Sequence, residues 1–103
     1  MIDSNKTTTK YGIDFTKVLK KQFKKIIKQG KDINKFLYVV EKLANKEILE
    51  SKYKNHSLNN CKDYYNCEEC HIEPDWLLIY RYQNDELILL LVATGSHSEL
   101  FQR

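Results

Sequence analysis

Trp76-Leu77-Leu78-Ile79-Tyr80-Arg81-Tyr82-Gln83-Asn84-Asp85-Glu86-Leu87-Ile88-Leu89-Leu90-Leu91-Val92-Ala93-Thr94-Gly95 is the stretch on which the fold turns. Trp76 to Tyr82 is apolar and aromatic, the composition of a central strand. Gln83-Asn84-Asp85 reads as a turn. Leu87 to Val92 is an unbroken apolar run of strand length, which predicts burial on both faces. Together these segments form a hairpin inside a small antiparallel sheet. Gly95 breaks the second strand, and Ser96 to Phe101 reads as a short tail.

Upstream, Cys70 to Glu73 is extended, because the residue before Pro74 is sterically kept out of the helical region. Asn55 to Asn66 is rich in Asn, Ser and Lys and reads as a loop passing into a weak strand. Nearer the N-terminus the periodicity changes from strand to helix. Phe15, Val18, Leu19, Phe23, Ile26 and Ile27 recur at three- and four-residue spacing, one apolar stripe. Thr16 or Asp14 can cap that helix and Gly30 can end it. Asp32 can cap a second helix, whose stripe is Ile33, Phe36, Leu37, Val40, Leu43 and Ala44. The short link predicts an antiparallel helix hairpin, and two apolar stripes facing one way need a sheet to cover. Tyr11 to Phe15 is a candidate first strand. The expected fold class is therefore α+β. Residues 11–103 form one domain, preceded by a polar extension at 1–10.

Composition narrows the function. The chain has 103 residues, 42% hydrophobic and 30% charged, as a folded protein should. No apolar run approaches the ~20 residues of a membrane helix. Met1 to Lys10 has no apolar core of a secretory signal, so the cytoplasm is the expected address. Three cysteines, Cys61, Cys67 and Cys70, fit it as reduced thiols. Charge is divided unevenly: residues 1–54 carry 14 Lys against 6 Asp or Glu, net +8, and residues 55–103 carry 3 Lys or Arg against 8, net −5. Such asymmetry suits a polyanion or an acidic partner on the basic side, or simply a solvated lysine face.

Candidate chemistry lies in the acidic half. His56, His71 and His97 fall in three segments, none inside an apolar stripe, and histidine serves as acid or base near neutral pH. Glu69, His71 and Glu73 alternate, so they share one face of an extended segment. Asp75 follows Pro74, whose fixed φ stiffens the turn that aims it. Trp76 suits core packing better than base stacking. Cys67-x-x-Cys70-His71 invites a zinc site, but Cys70 and His71 point to opposite faces of a strand and no second Cys-x-x-Cys completes four ligands. No metal or cofactor is expected. No phosphate loop, nucleotide fingerprint or serine elbow is present.

Cys70-His71-Ile72-Glu73-Pro74-Asp75-Trp76-Leu77-Leu78-Ile79-Tyr80 resembles the signature of the YafQ branch of RelE-type toxins. Thr94-Gly95-Ser96-His97-Ser98-Glu99-Leu100-Phe101 resembles its C-terminal signature, and His56-Ser57-Leu58 its loop His-x-Leu. The resemblance spans roughly Phe15 to Phe101. It implies a RelE-like helix hairpin on a small twisted antiparallel sheet. It also implies the toxin of a type II toxin–antitoxin pair that cuts mRNA in the ribosomal A site. Carried over by position, the catalytic residues are His56, Glu69 (where the family usually has aspartate), His71, Asp75 and His97, with Phe101 stacking on a base.

RNA carries its own nucleophile, the 2′-hydroxyl, so acid and base side chains suffice if charge on the phosphate is stabilised. His97 is the expected acid, with Asp75 or His71 as partner in base work. Lys62 and Arg81 are the nearest basic residues for the phosphate. Lys17, Lys20, Lys21, Lys24, Lys25 and Lys28 are expected to hold ribosomal RNA. The implied partners are an acidic antitoxin, the ribosome with mRNA, and operator DNA only through the antitoxin; no membrane is expected. Two positions depart from the family: Ala93 replaces a usual arginine, and Glu68 replaces a common one. They predict weaker cleavage, and they admit a competing reading as an RNA-, ribosome- or antitoxin-binding protein acting mainly in operon repression.

Overall fold

A computed structural model describes residues 9–59 and 61–101. Of the N-terminal extension only Thr9 and Lys10 fall among them. In chain order the elements are β1 (Gly12–Phe15), α1 (Lys17–Lys28), α2 (Ile33–Ala44), β2 (His56–Ser57), β3 (Glu68–Glu73), β4 (Trp76–Gln83), β5 (Ile88–Gly95) and α3 (His97–Phe101), with short 3-10 turns at Ser51–Tyr53 and Asn84–Glu86. The strands form one sheet in the order β1-β5-β4-β3-β2. This is the α+β architecture expected, with one refinement. The sheet is antiparallel from β5 to β2, but β1 lies parallel to β5, with Gly12 opposite Ile88 and Phe15 opposite Leu91. Two helices separate β1 from the rest of the sheet, a connection long enough for a parallel pairing.

Both helices begin where their caps predict. The Thr16 side chain accepts the Leu19 N–H and the Asp32 side chain accepts the Asn34 N–H. Gly30, at φ +78°, turns the chain between them. Leu19 and Ile26 of α1 and Phe36, Val39, Val40, Leu43 and Ala44 of α2 are buried against one sheet face. Phe23 meets Phe36 at 4.8 Å between ring centres, and Phe36 stacks on Trp76 at 6.3 Å. Val18, Ile27 and Leu37 are exposed, so each apolar stripe is narrower than its spacing suggested.

The strands divide their residues by parity, except that a register shift beside Val92 puts Leu91 and Ala93 on opposite faces. Cys70, Ile72, Trp76, Leu78, Tyr80, Leu89 and Leu91 face the helices. Cys67, Leu77, Ile79, Ala93 and Leu100 form a smaller cluster on the other face, packed by Leu58, Tyr64, Val92 and Phe101. Trp76 is fully buried, its indole N–H donating to Thr94 Oγ1 at 3.0 Å, and the Thr94 hydroxyl donates to the Leu77 carbonyl at 2.7 Å. Trp76 is thus a core residue.

Two expectations need correction. The β5 run is not buried on both faces: burial alternates from Ile88 to Val92, because only the 58–67 loop and α3 cover the second face. Leu87 lies outside the strand, half exposed at φ +52°. Ser96 to Phe101 is not a tail but carries the helix α3. Ser96 and Glu99 form a reciprocal cap: the Ser96 N–H donates to Glu99 Oε1 at 2.9 Å and the Glu99 N–H donates to Ser96 Oγ at 3.2 Å. No helix among the described residues is long and apolar enough to cross a membrane.

Candidate active site

The sheet face away from α1 and α2 collects the three histidines. Glu69 and His71 stand on it two residues apart on β3, and His56 on β2 pairs across to Glu69. His97 arrives from the far end of β5, where Gly95 lets the chain turn into α3. Gly95 sits at φ +156°, and a Cβ there would meet Glu99 Oε1 at 3.0 Å. The rings form a row, 6.4 Å between His56 and His71 and 5.3 Å between His71 and His97.

Two carboxylates hold this row. Glu69 is 4% exposed. Its Oε1 lies 3.3 Å from His56 Nε2 and 3.4 Å from His71 Nε2. His56 Nδ1 is anchored on its other side, donating to the Lys54 carbonyl at 2.8 Å. Asp75 sits on the exposed turn between β3 and β4. One of its oxygens accepts both the backbone N–H of His97 at 2.9 Å and the His97 Nδ1 at 2.7 Å. The backbone N–H, and then the ring, hold the Asp75 carboxyl below the ordinary aspartate range. The pairing leaves His97 Nε2 as that ring's unused nitrogen.

Not every anticipated residue joins the row. Glu73 was expected on the face of Glu69 and His71, but a register shift between His71 and Glu73 turns it away. There it meets Lys35 at 3.0 Å and Lys31 at 3.7 Å, which hold its carboxyl below the usual range. Phe101 lies one helical turn beyond His97, half-buried against Tyr64 at 5.6 Å, and the Tyr64 hydroxyl donates to the Leu100 carbonyl at 3.1 Å. Lys62 and Arg81 line one small depression with Cys67 and Val92. Arg81 stands on the histidine face, but one pairing step beyond Ile79, the partner of Glu69. Ala93 is buried beneath Phe101. Glu68 faces the helices, its carboxylate 3.4 Å from both the Tyr80 hydroxyl and the Asn55 amide. The six α1 lysines are all exposed, and Lys25 bridges to Glu99 at 2.5 Å.

The cysteines divide between faces. Cys70 packs among the helices, where burial pushes its thiol up to about 12, and Cys67 packs on the other side. Among the described residues no three His, Cys, Asp or Glu side chains gather as a metal site requires. Supporting residues that sequence reasoning missed are Glu99, Tyr64 and Gln22, whose side-chain carbonyl accepts the Thr94 N–H at 2.9 Å. Only Glu99 had a legible signal, the Ser-x-x-Glu spacing.

Residues 11–102 match the model of the bacterial toxin of the type II toxin–antitoxin system, YafQ. The chain belongs to this toxin family. It is 34% identical over 90 residues to the mRNA interferase toxin YafQ of Escherichia coli BL21(DE3), covering 86% of this chain and 94% of that toxin. Among solved structures, a metal-bound toxin from Helicobacter pylori is 41% identical with a TM-score of 0.80, over 88% of this chain and 99% of that one. YafQ in the E. coli DinJ–YafQ complex is 33% identical with a TM-score of 0.76, over 88% of this chain and 98% of that one. This toxin therefore shares its fold and nearly its whole length with those proteins.

Proposed function

We propose that this toxin is a ribosome-dependent mRNA endoribonuclease that cuts by attack of the substrate 2′-hydroxyl, with side-chain acid–base catalysis. The observation that carries the reading is the row of three histidines held by Glu69 and Asp75.

Asp75 takes a hydrogen from His97 Nδ1 and so orients Nε2 as the acid that protonates the departing 5′ oxygen. Because Asp75 is engaged twice by His97, His71 suits the base role better. Its Nε2 faces Glu69, which leaves Nδ1 to receive the 2′-hydroxyl proton. The two nitrogens of His56 face two acceptors, the Lys54 carbonyl and the Glu69 carboxylate, which fix the ring. Held so, His56 supports His71 through the Glu69 carboxylate that the two rings share. Lys62 and Arg81 add positive charge farther along the same face. Phe101 stacks on a base, a contact worth ~1–3 kcal/mol. The α1 lysines hold ribosomal RNA. The acidic partner is an antitoxin, through which alone the toxin reaches operator DNA. Residues 11–103 act as one domain in the cytoplasm, without a metal.

Single-turnover cleavage of ribosome-bound mRNA tests this reading. The expected products carry a 2′,3′-cyclic or 3′ phosphate and a 5′ hydroxyl, and cleavage persists after chelation that leaves the ribosome intact. A 5′-phosphate product, or loss of cleavage on chelation, overturns the mechanism in favour of metal-assisted hydrolysis.

A further inference from the structure

An RNA strand crossing the histidine row has to leave it on both sides. One side leads towards Phe101. On the other, His71 forms a wall of a groove of about 640 Å³ between α2 and the Ser51–Tyr53 turn. Lys35, Lys52, Lys54, Tyr38 and Tyr53 also line it. Its acids are already answered: Glu73 by Lys31 and Lys35, and Glu50 by Lys42 at 3.5 Å and the Tyr38 hydroxyl at 3.0 Å. Lys52 and Lys54 are exposed and form no ion pair among the described residues. The two tyrosine rings lie 6.2 Å apart and give the groove aromatic surface beside its free charge. The depression on the Asp75 side has no aromatic side chain, and its one lysine, Lys31, is already paired with Glu73.

We propose that this groove is a subsite for single-stranded RNA, in which Lys52 and Lys54 bind a phosphodiester flanking the scissile one, on the side opposite Phe101, and Tyr53 supports the nucleoside. The inference rests on the nuclease reading above. The Lys54 carbonyl holds the His56 ring, so the basic segment and the row are one unit. Lys54 at φ +48° ends the turn, and both lysines line the same groove as His71. Charge with aromatic surface is the usual platform for an RNA strand.

The test is a cycle between protein charge and RNA charge. Single-turnover cleavage on programmed ribosomes is measured for the wild type, for K52Q/K54Q and for His97→Ala, on mRNA carrying one neutral methylphosphonate at successive positions around the cut. K52Q/K54Q is expected to fold normally by circular dichroism. It should need roughly tenfold more toxin for half-maximal rate, keep most of the maximal rate, and flatten the salt dependence by about one to two units of slope. At one flanking position the methylphosphonate should weaken the wild type similarly and K52Q/K54Q no further. Wild-type behaviour of K52Q/K54Q overturns the subsite while leaving the nuclease reading intact. Losses that add at every position assign the lysines to ribosomal RNA and overturn it equally. A wild type that cuts no better than His97→Ala overturns the nuclease reading and this proposal together.

Discussion

The two faces of the sheet meet different demands. On the helix face Trp76, Leu78, Tyr80 and Leu89 are almost fully buried, and the polar atoms there are satisfied by short internal bonds such as Trp76 to Thr94. On the other face a loop and a five-residue helix give thin cover, and Glu69, His71 and Arg81 occupy strand positions that apolar residues fill opposite. A strand residue points to one face or the other, so adjacent residues such as Cys70 and His71 serve stability and chemistry separately. The difference teaches that the two properties should be separable by mutation.

The strongest contrast is between Trp76 and His97. Trp76→Ala removes a buried aromatic stacked on Phe36 and leaves the Thr94 hydroxyl without its donor, an expected loss of ~3–5 kcal/mol of stability by urea denaturation. His97→Ala removes the proposed acid, an expected loss of ~10²–10⁴ in single-turnover cleavage with the urea midpoint nearly unchanged. If His97→Ala unfolds as readily as Trp76→Ala, or cuts at the wild-type rate, the division between faces fails.

A smaller effect should separate charge from geometry at Asp75. Asp75→Asn keeps an oxygen for the His97 N–H but removes the negative charge facing the ring. Cleavage should fall by less than in His97→Ala, because the amide oxygen still holds the ring while the counter-charge is gone. The sign on the acid side follows from the depressed Asp75 pKa. Such a carboxylate contributes stability that is present above its unfolded value and lost as pH falls through the lower folded value. The Asp75–His97 contact therefore survives acidification down to about pH 3.9, the ordinary aspartate value, and fails only below it. Loss of that contact at pH 5 to 6, followed through the His97 amide resonance, contradicts this, as does Asp75→Asn cleavage as low as that of His97→Ala.

Next comes the frame of α3. Glu99→Ala opens the cap that starts this helix, at a cost of about 1 kcal/mol borne locally where His97 and Phe101 sit. A several-fold fall in maximal rate is expected with little change in the global midpoint. Glu99→Gln keeps an oxygen for Ser96 and loses only the exposed bridge to Lys25, so it should restore most of the rate. Equal rates for the two variants would show that the bridge, and not the cap, positions His97.

The contrast between faces was largely legible before the structure. Hydrophobic periodicity placed α1 and α2, the turn residues placed the β4–β5 hairpin, and strand parity separated Cys70 from His71. Less legible was anything set by contacts distant in sequence. Nothing local says that β1 runs parallel to β5, because that pairing is a choice of the whole chain. The displacement of Glu73 follows from a register shift beside Pro74, which simple alternation cannot anticipate. The run at β5 looked buried on both sides because a sequence shows apolarity and not the thickness of the layer covering it. The histidines were found as candidates by residue type and by resemblance, yet their spacings, and the sharing of Glu69 by two rings, came only from the fold.

The smallest effect belongs to the two positions, Glu68 and Ala93, where the resemblance implied arginine. Glu68 and Ala93 were expected to weaken catalysis together, one by repulsion and one by a missing donor. The sheet parts them. Glu68 points towards the helices and bonds to Tyr80 and Asn55, so its charge is separated from the histidine row by the sheet itself. Ala93 points to the histidine face and borders the depression beside Phe101, Tyr64 and Val92. Glu68→Gln keeps an oxygen for both partners and should leave cleavage unchanged, with stability within about 0.5 kcal/mol of the wild type. Ala93→Arg strains a packed site at a cost of ~1–3 kcal/mol. Its stem can nevertheless run along the depression and bring a forked donor towards the phosphate, so single-turnover cleavage should rise in the folded fraction. A faster Glu68→Gln enzyme would mean that charge acts through the sheet, and a folded Ala93→Arg enzyme no faster than wild type would mean that the phosphate already has its full complement of positive charge from Lys62 and Arg81.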